Sequence, residues 1–463
     1  MQCISSDNIA PSSDSSLAAT EPSDRKFILF VDDDVNILYG LRRMLRNMRN
    51  VWDMEFVEDV SIALKILDDM KVDVVVSDMK MPYVDGSEFF QIVKNKHPKT
   101  ARIVLSGQSD RDMVMRTVEG AHQYLSKPCD SNHLKDAISR TCALRKALTN
   151  EELLNKVSGL SVLPTSLNAY NKLKKCLCDE SMTNEATVNV VVNVIARDPG
   201  MTAKVLQLVN SDFFCYGQKV SNINEAVRLL GVEVIRNLVL SIDIFSCNDL
   251  FLPNTNLSAE FTESLWRHSL CTAVLAQQIS YVELSNKENK EFVDDAFAVG
   301  LLHDIGISVL CMNDENYIDS CIKRSIVEGL PLWQIERSVL SITHAEIGAY
   351  LLGLWGLPDT IIEGVLYHHH PERCLSKKIS PTAIVHVANC FDHLQANGSW
   401  LSQFNCQHAC TPSKGYTDSK YPLLDLNYEY LEQIGCLNKL LDWKLLCSIT
   451  DSAGLIDRLV IPY

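Results

Sequence analysis

The chain has 463 residues, of which 43 are basic and 58 are acidic, and its formal net charge is −15 at neutral pH. This length exceeds that of one typical domain, so we expect two or three domains, and a hydrophobic content of 46% is sufficient for their cores. The acidic balance argues against a DNA-binding module, which would usually carry a basic patch, so we expect no nucleic-acid partner.

The start of the chain and its cysteines indicate the compartment. Residues 1–24 are rich in Ser, Asp and Pro and carry no secretion signal, so they predict a disordered tail. The 16 cysteines are scattered without a Cys-x-x-Cys pair, which favours reduced thiols in a cytoplasmic protein. No uninterrupted apolar stretch reaches the length of a transmembrane helix, so we expect no membrane association.

Short apolar runs in the first quarter of the chain each end at polar residues. They alternate with longer amphipathic stretches, which predicts βαβ units and a buried parallel sheet. Ligands of such sheets bind beyond the carboxyl ends of the strands. The runs and the polar residues that follow them are 27–31 before Asp32 and Asp33, 72–76 before Asp78, 103–105 before Ser106, and 124–125 before Lys127.

These polar residues are the types that a phosphoryl-accepting site needs. Asp32, Asp33 and Asp78 offer carboxylates to a hard cation such as Mg²⁺, which prefers oxygen ligands. Asp78 beside a cation can act as a nucleophile toward a phosphoryl group. Lys127 would neutralise the phosphoryl oxygens, and Ser106 would donate a hydrogen bond to one of them.

Each feature also has a purely structural interpretation. Asp32 and Asp33 would then cap the helix that starts near Val35, a common role for Asp. Lys127-Pro128 would be an ordinary turn. The complete set, in order and at successive strand ends, favours the functional interpretation.

Residues 25–146 resemble, over their full length, the receiver domain of two-component response regulators. The resemblance implies a doubly wound, flavodoxin-like fold with a five-stranded parallel sheet, and a histidine kinase or phosphotransfer protein as the phosphodonor. It also implies roles for individual residues: Asp78 as phosphoacceptor, Asp32, Asp33, Asp78 and the backbone carbonyl of Lys80 as Mg²⁺ ligands, Ser106 and Tyr124 as the switch pair, and Lys127 as the lysine that precedes a proline.

Beyond the receiver-like part the pattern is helical. Residues 147–157 predict a polar helical connector, and residues 158–395 show no strand alternation, so we expect an all-α domain there. Residues 396–463 contain short apolar helical stretches that we expect to pack on that domain as an extension. We find no chemical mechanism in this last segment.

Histidines are the chemical candidates of the helical half. Imidazoles and a carboxylate on neighbouring helices are the usual way in which a helical bundle builds a transition-metal site. Any one of these histidines alone could be structural, but their number and order favour a shared site. The candidates are His268, His303 with Asp304, His344, and the pair His368 and His369.

This half resembles the HD superfamily of metal-dependent phosphohydrolases, and more closely its HDOD subfamily. The resemblance rests on Asp198-Pro199-Gly200 through Asn210-Ser211, the run 225–231, and His303-Asp304. Related HD-GYP domains hydrolyse cyclic di-GMP. The resemblance implies a site for Fe or Mn, and the positions that match the metal ligands of those relatives are His268, His303, Asp304, His344, His368, His369 and Asn389.

The chain departs from the catalytic pattern at three places. Asn389 stands where the family has its last metal-binding Asp, and Ile307 stands where a lysine follows His-Asp-Ile-Gly. The Gly-Tyr-Pro segment is absent, and Pro371-Glu372-Arg373 follows the histidines instead. Because an amide binds a dication less strongly than a carboxylate does, we expect a weakened single-metal site or none.

Together these features predict a cytoplasmic response regulator. Phosphorylation of Asp78 would control an HDOD domain that acts mainly through protein interaction. The alternative is a phospho-regulated metal-dependent phosphohydrolase, similar to a cyclic di-GMP phosphodiesterase, and whether the chain is an enzyme stays open. A homodimer is possible, and the downstream partner is a protein that the sequence does not identify.

Overall fold

The protein divides after Ser161: Met1–Ser161 form one unit and Val162–Tyr463 form a second. The structure is a computed structural model. It describes residues 25–82, 84–107, 118, 120–147, 154, 157–160, 163–179, 181–212, 214, 219–240, 259–284, 289–313, 315–374, 376–395 and 425–452. The predicted tail of residues 1–24 lies outside this part of the chain.

The first unit contains a parallel sheet with the strand order β2-β1-β3-β4-β5. The strands are β1 (Lys26–Val31), β2 (Trp52–Val57), β3 (Val74–Ser77), β4 (Ala101–Gly107) and β5 (Gln123–Lys127). The described helices are α1 (Val35–Met44), α2 (Val60–Asp69), α3 (Gly86–Lys96) and α4 (Ser131–Ala147). The predicted five-stranded doubly wound fold is confirmed.

The central strands are apolar on both faces because helices cover both sides of the sheet. In β1 the residues from Ile28 to Val31 are all buried, and every residue of β3 is buried. Such continuous apolar runs are typical of parallel strands. The carboxyl ends of these strands therefore meet at one edge, where the polar residues that follow them lie close together.

Residues 157–160, which follow α4 in the chain, lie at the amino-terminal ends of β4 and β5. Arg102, which is fully buried, donates from Nη2 to the carbonyl oxygen of Ser158 at 3.0 Å. His122 Nε2 lies 2.9 Å from the same oxygen. Leu154 and Val157 are also buried. Part of the segment that the sequence predicts as a polar connector thus belongs to the first unit.

In the described part of the second unit every regular element is helical, which confirms the predicted all-α class. The first helices are α5 (Leu167–Leu177), α6 (Asn184–Ile195), α7 (Pro199–Val209), α8 (Ile223–Leu230), α9 (Val232–Leu240), α10 (Ala259–Glu283), α11 (Lys290–Leu302) and α12 (Ile305–Asn313). They are followed by α13 (Glu315–Glu328), α14 (Leu332–Leu340), α15 (His344–Leu354), α16 (Asp359–Tyr367), α17 (Pro381–Gln395), α18 (Tyr428–Gln433) and α19 (Leu440–Ser452).

The polar residues of the Asp-Pro-Gly and Asn-Ser segments stabilise this bundle. Asp198 caps α7, because its carboxylate accepts hydrogen bonds from the backbone N–H groups of Met201 and Ser166. Asn210, at the other end of α7, binds both backbone groups of Val220. These residues fix the termini of a helix that is buried on all sides.

One stretch, Lys290–Met312, is long and apolar enough to cross a membrane by length and composition, with a mean hydropathy of 1.5 over its most apolar window. Asp294, Asp295 and Asp304 interrupt it, so it is not an uninterrupted apolar run. It covers α11 and most of α12, and 89% of the window is buried inside the protein, as in a core helix. The candidate ligands His303 and Asp304 lie within it.

Candidate phosphoryl and metal sites

Lys127 lies between two carboxylates at the carboxyl edge of the sheet. Its Nζ donates to Asp32 Oδ2 at 2.7 Å and to Asp78 Oδ1 at 2.5 Å. The backbone N–H of Lys80 donates to the other oxygen of Asp78 at 2.9 Å. A Cβ at Gly86 would lie 2.6 Å from the carbonyl oxygen of Asp78, so glycine lets α3 approach this backbone closely. The strand ends thus bring three predicted residues into direct contact.

Asp34, rather than Asp32 or Asp33, caps the helix that follows β1. The carboxylate of Asp34 accepts a hydrogen bond from the backbone N–H of Asn36 at 2.8 Å. Asp33 is exposed, and Asp32 is buried. The capping interpretation therefore does not account for these two residues, whose carboxylates are suited to a hard cation.

Burial and ion pairing shift the pKa values of Asp32 and Lys127 in opposite directions. Burial raises the pKa of Asp32 above its ordinary value, and the hydrogen bond from Lys127 offsets this only in part. Burial alone would lower the pKa of Lys127, but the hydrogen bonds to Asp32 and Asp78 outweigh it and raise that pKa. The ammonium group is therefore charged and neutralises part of the negative charge of the site.

Ser106 and Tyr124 lie on the two strands that lead to this edge. β4 pairs with β5 so that Ser106 is opposite Ser126 and Val104 is opposite Tyr124. Ser106 is fully buried and Tyr124 nearly so. The helix that the sequence predicts after Ser109 falls within residues 108–117, outside the described residues.

A second cluster, in the helical unit, is centred on Asp304. Its Oδ2 is 3.5 Å from His268 Nε2 and 3.3 Å from His303 Nε2. Its Oδ1 is 3.3 Å from His344 Nε2 and 3.7 Å from His368 Nε2. The two oxygens of one carboxylate therefore face two different pairs of imidazoles.

His369 completes the second half of the cluster, because its Nε2 is 3.1 Å from that of His344. Within each half the candidate ligand atoms lie within 4.8 Å of one another. The two halves are His268, His303 and Asp304, and His344, His368 and His369. We name these six residues the HD cluster.

The helices bring the HD cluster together through their ends. His268 lies within α10, His303 and Asp304 lie between α11 and α12, and the other histidines lie at the start of α15 and just after α16. A Cβ at Gly306 would lie only 1.9 Å from the carbonyl oxygen of His344. Glycine at this position is therefore required for α12 to meet the start of α15.

Every imidazole of the HD cluster has its Nδ1 hydrogen-bonded to an acceptor outside the cluster. Three of these acceptors are carboxylates: Asp392 for His268 at 2.6 Å, Glu336 for His344 at 2.7 Å and Asp425 for His369 at 2.8 Å. Two are backbone carbonyls: that of Gly300 for His303 and that of Val365 for His368, each at 2.8 Å. Such partners fix each ring with Nε2 directed inward, as in metal-binding histidines.

Burial and neighbouring charges shift the pKa values of four of the five imidazoles, two of them upward and two downward. Burial opposes protonation of His268 and His344, but Asp392 and Glu336 outweigh it, raising the pKa of His268 and raising that of His344 to about 10. Burial and the neighbouring imidazoles lower the pKa of His368 and His369 well below the ordinary value. His344 is therefore protonated at neutral pH, whereas His368 and His369 are neutral.

The charge of Asp304 responds to the same histidines. Burial alone would raise its pKa, but the charges and hydrogen bonds of His303 and His344 hold it well below the ordinary value. The carboxylate is therefore ionised in the centre of the HD cluster. An ionised carboxylate between inward-facing imidazoles is the arrangement that binds a divalent transition metal.

Two buried polar atoms at this cluster are consistent with a metal ion. His368 Nε2 and Asn389 Oδ1 have no hydrogen-bond partner. Leaving buried polar atoms unsatisfied costs about 1–3 kcal/mol each. Imidazole nitrogens together with carboxylate and amide oxygens form a donor set suited to Fe or Mn. The residues present therefore fit the metal that the HD resemblance implies.

The inward-facing residues were predicted from the sequence, but the carboxylates that accept hydrogen bonds from their Nδ1 atoms were not. Asp392 follows Asn389 by three positions on α17, a spacing that places both on one helix face and could have identified it. Glu336 is fully buried, which the sequence does not reveal. Asp425 is 56 positions from His369, and no local pattern links the two residues.

Comparisons with known proteins agree with this division into two sites. The family model of the response regulator receiver domain matches residues 28–139, and that of the HDOD domain matches residues 163–371. The chain belongs to the response regulators that carry an HDOD domain. The receiver match contains the first site, and the HDOD match contains the six residues of the HD cluster but ends before Asn389 and Asp425.

Individual relatives of this response regulator match only parts of it. An uncharacterized protein of Treponema pallidum (strain Nichols) is 26% identical over 183 residues, covering 39% of this chain and 33% of that protein. The two-component response regulator ARR14 of Arabidopsis thaliana is 32% identical over 161 residues, covering 32% of this chain and 42% of ARR14. The chain spans less than half the length of these curated relatives.

Among solved structures, the MmoQ response regulator from Methylococcus capsulatus str. Bath is 20% identical. The alignment has a TM-score of 0.42 and covers 60% of this chain and 98% of that one.

Proposed function

We propose that this response regulator receives a phosphoryl group on Asp78 from a histidine kinase or a phosphotransfer protein. The observation that carries the proposal is the Lys127 ammonium, which bridges Asp32 and Asp78 at 2.7 and 2.5 Å. Asp32, Asp33 and Asp78, with the backbone carbonyl of Lys80, would hold Mg²⁺, a cation that prefers such oxygen ligands.

In the proposed reaction a carboxylate oxygen of Asp78 forms a bond to phosphorus while the bond between phosphorus and the imidazole nitrogen of the donor histidine breaks, which leaves an acyl phosphate on Asp78 and releases the donor imidazole. Lys127 would exchange its contact with Asp78 for one with the phosphoryl oxygens, because the transferred group carries more negative charge than the carboxylate. The Ser106 hydroxyl would move toward the same group, and the Tyr124 ring would follow it. The positions of both residues on β4 and β5 support this coupling.

Labelling with acetyl phosphate and Mg²⁺ tests the phosphosite. Asp78→Asn should abolish labelling and leave the fold intact, since the two side chains are nearly isosteric. Asp69→Asn, which removes an exposed carboxylate at the end of α2, is the matched control and should be labelled like the wild type. Undiminished labelling of Asp78→Asn would exclude Asp78 as the acceptor.

We further propose that the HDOD domain holds a transition metal, Fe or Mn, in the HD cluster and acts mainly through protein interaction. The fixed Nδ1 partners and the unpartnered atoms of His368 and Asn389 support metal binding. The six side chains are at most 12% exposed. Closed metal sites are typical of structural roles, whereas catalytic sites keep an open position. Phosphorylation would then change the surface that this domain presents to another protein.

The second candidate function is a metal-dependent phosphohydrolase. It is favoured by the two halves of the HD cluster, which share the Asp304 carboxylate. A bound metal supplies Lewis acidity and an activated water for phosphodiester attack. In that case His303 and Asp304 would hold the metal beside the substrate, and His369, the most exposed of the cluster, would border the point of entry.

Metal analysis and an activity assay separate the two candidates. The purified full-length protein, expressed with Fe or Mn supplementation, should contain metal by mass spectrometry, and His303→Ala should remove it. Cyclic di-GMP should stay intact under Mn²⁺ or Fe²⁺, with or without beryllofluoride as a stand-in for the phosphoryl group. Turnover that His303→Ala abolishes would establish the phosphohydrolase instead. A wild type without metal would make the HD cluster structural.

A further inference from the structure

The extension that follows the HDOD match reaches the HD cluster. Residues 425–431, here named the C-terminal strap, lie against the histidines that follow α16. Asp425 Oδ2 is 2.8 Å from His369 Nδ1, and Asp425 Oδ1 accepts from Trp333 Nε1 at 3.3 Å. Both oxygens of this carboxylate are thus engaged, one of them by a candidate metal ligand.

The next residues of the C-terminal strap attach it to α17 and to the turn after the histidines. The backbone N–H of Asn427 donates to His386 Nε2 at 3.0 Å, and Asn427 Nδ2 donates to Glu372 Oε2 at 2.9 Å. His386 in turn donates from Nδ1 to the carbonyl oxygen of His368 at 2.7 Å. The strap is therefore connected to both histidines of the pair.

Apolar burial holds the C-terminal strap in place. Leu426 and Tyr430 are buried, and Leu431 is completely buried. Removing such apolar side chains from water stabilises the packed position of the strap. The strap is thus packed into the same helical unit as the HD cluster.

Asp425 differs from the other two carboxylates that hold cluster histidines. Its side chain is 28% exposed, whereas that of Asp392 is 12% exposed and that of Glu336 is fully buried. Asp392 and Glu336 lie on helices of the bundle, but Asp425 lies on a segment outside the helices that carry the ligands. Of the three partners it is therefore the one whose substitution should disturb the bundle least.

We propose that Asp425 is a positioning residue for the metal ligand His369, and that docking of the C-terminal strap and metal binding reinforce each other. This inference rests on the proposed metal site. The carboxylate keeps His369 in the tautomer whose Nε2 carries the lone pair, and its charge increases the basicity of that nitrogen. Because coupling free energies are reciprocal, a bound metal should also hold the strap in place.

The test measures metal affinity and strap exchange in the full-length protein. Mn²⁺ affinity is determined by competition with a chelator, and amide exchange of residues 425–433 is measured with and without Mn²⁺. Loss of an outer partner of a metal-binding histidine typically weakens affinity tenfold to hundredfold, which is the change expected for Asp425→Asn. Mn²⁺ should slow strap exchange in the wild type but not in this variant.

Glu429→Gln is the matched control, because it removes an exposed carboxylate of the strap; it should behave like the wild type. A purely structural role would change strap exchange in Asp425→Asn without changing Mn²⁺ affinity. Wild-type Mn²⁺ affinity in this near-isosteric variant therefore overturns the inference and leaves the metal site standing. A wild type that binds no Mn²⁺ overturns the metal site itself, and the inference with it.

Discussion

Restoring the carboxylate at position 389 should change metal affinity and metal-free stability in opposite directions. Asn389 lies on α17 beside His268 and is 4% exposed, and its Oδ1 has no hydrogen-bond partner. Asn389→Asp replaces an amide by a carboxylate of the same size. The substitution therefore changes charge with little change in packing.

In the metal-free protein the new carboxylate is costly. It is buried beside His268, a ring whose pKa the carboxylates of Asp392 and Asp304 already raise. Burial and like charge together raise the pKa of such an acid, and a buried charge without compensation destabilises a fold by about 3 kcal/mol. The free energy of unfolding of metal-free Asn389→Asp should fall by up to this amount.

With metal bound, the new carboxylate is stabilising instead of destabilising. Two unit charges about 4 Å apart attract by about 4 kcal/mol at an effective dielectric of 20, and a dication doubles this value. Desolvation of the carboxylate removes several kcal/mol. A net gain on the order of 3 kcal/mol corresponds to about a hundredfold in Kd.

Chemical denaturation of chelator-treated protein measures the change in the free energy of unfolding. Competition titrations measure the change in Mn²⁺ affinity. Asp392→Asn is the opposite control, because it removes the partner of His268 and should weaken Mn²⁺ binding. If Asn389→Asp leaves both stability and affinity unchanged, position 389 does not face the metal-binding centre, and the argument from its unpartnered oxygen is wrong.

Further predictions concern backbone contact, protonation and the receiver domain. Gly306→Ala places a methyl group 1.9 Å from the carbonyl oxygen of His344, so it should destabilise the HDOD domain by about 1–3 kcal/mol and reduce bound metal, which thermal denaturation and mass spectrometry will detect. A Gly306→Ala protein with unchanged stability and metal content would contradict this packing argument. The pKa of His344, raised from 6.5 to about 10, makes protonation favour the metal-free fold; this stabilisation is complete below pH 6.5 and is lost as pH rises toward 10. Since a bound metal must displace this proton, Mn²⁺ affinity should rise with pH over the same range, and a flat profile would argue against a protonated His344. Beryllofluoride should change amide exchange in the segments 110–120 and 146–158, and Tyr124→Ala should weaken the second change while Asp78 remains phosphorylated; exchange altered only around Asp78 would mean that the domains are merely tethered.

The phosphoryl site was predictable because parallel strands place their carboxyl ends at the same edge of the sheet. Residues that end successive strands must meet at one edge, so Asp32, Asp78 and Lys127 could be assembled without coordinates. What the sequence left open was which Asp caps α1. Asp32, Asp33 and Asp34 are identical residue types, so the sequence alone does not show which of them caps the helix. The backbone conformation assigns the cap to Asp34.

The HD cluster was predictable in its inward-facing residues but not in its surroundings. Motif spacing identifies His303 and Asp304. The contact of Asp304 with His344, however, depends on how closely α12 approaches the start of α15. Glu336 and Asp425 act through tertiary contacts that leave no periodic signal. The sequence of the extension therefore gives no sign of a mechanism, although this segment supplies the partner of His369.

The hydrogen bonds of Arg102 determine where the receiver domain can be separated from the rest of the chain. A truncation after α4 would remove Ser158, whose carbonyl oxygen accepts from the buried guanidinium. Leaving a buried donor without its acceptor costs about 1–3 kcal/mol, and more when the donor is charged. An isolated receiver domain that ends at Ser161 should therefore be more stable than one that ends at Ala147, and a kinase or phosphatase assay on the shorter fragment would report on a weakened fold.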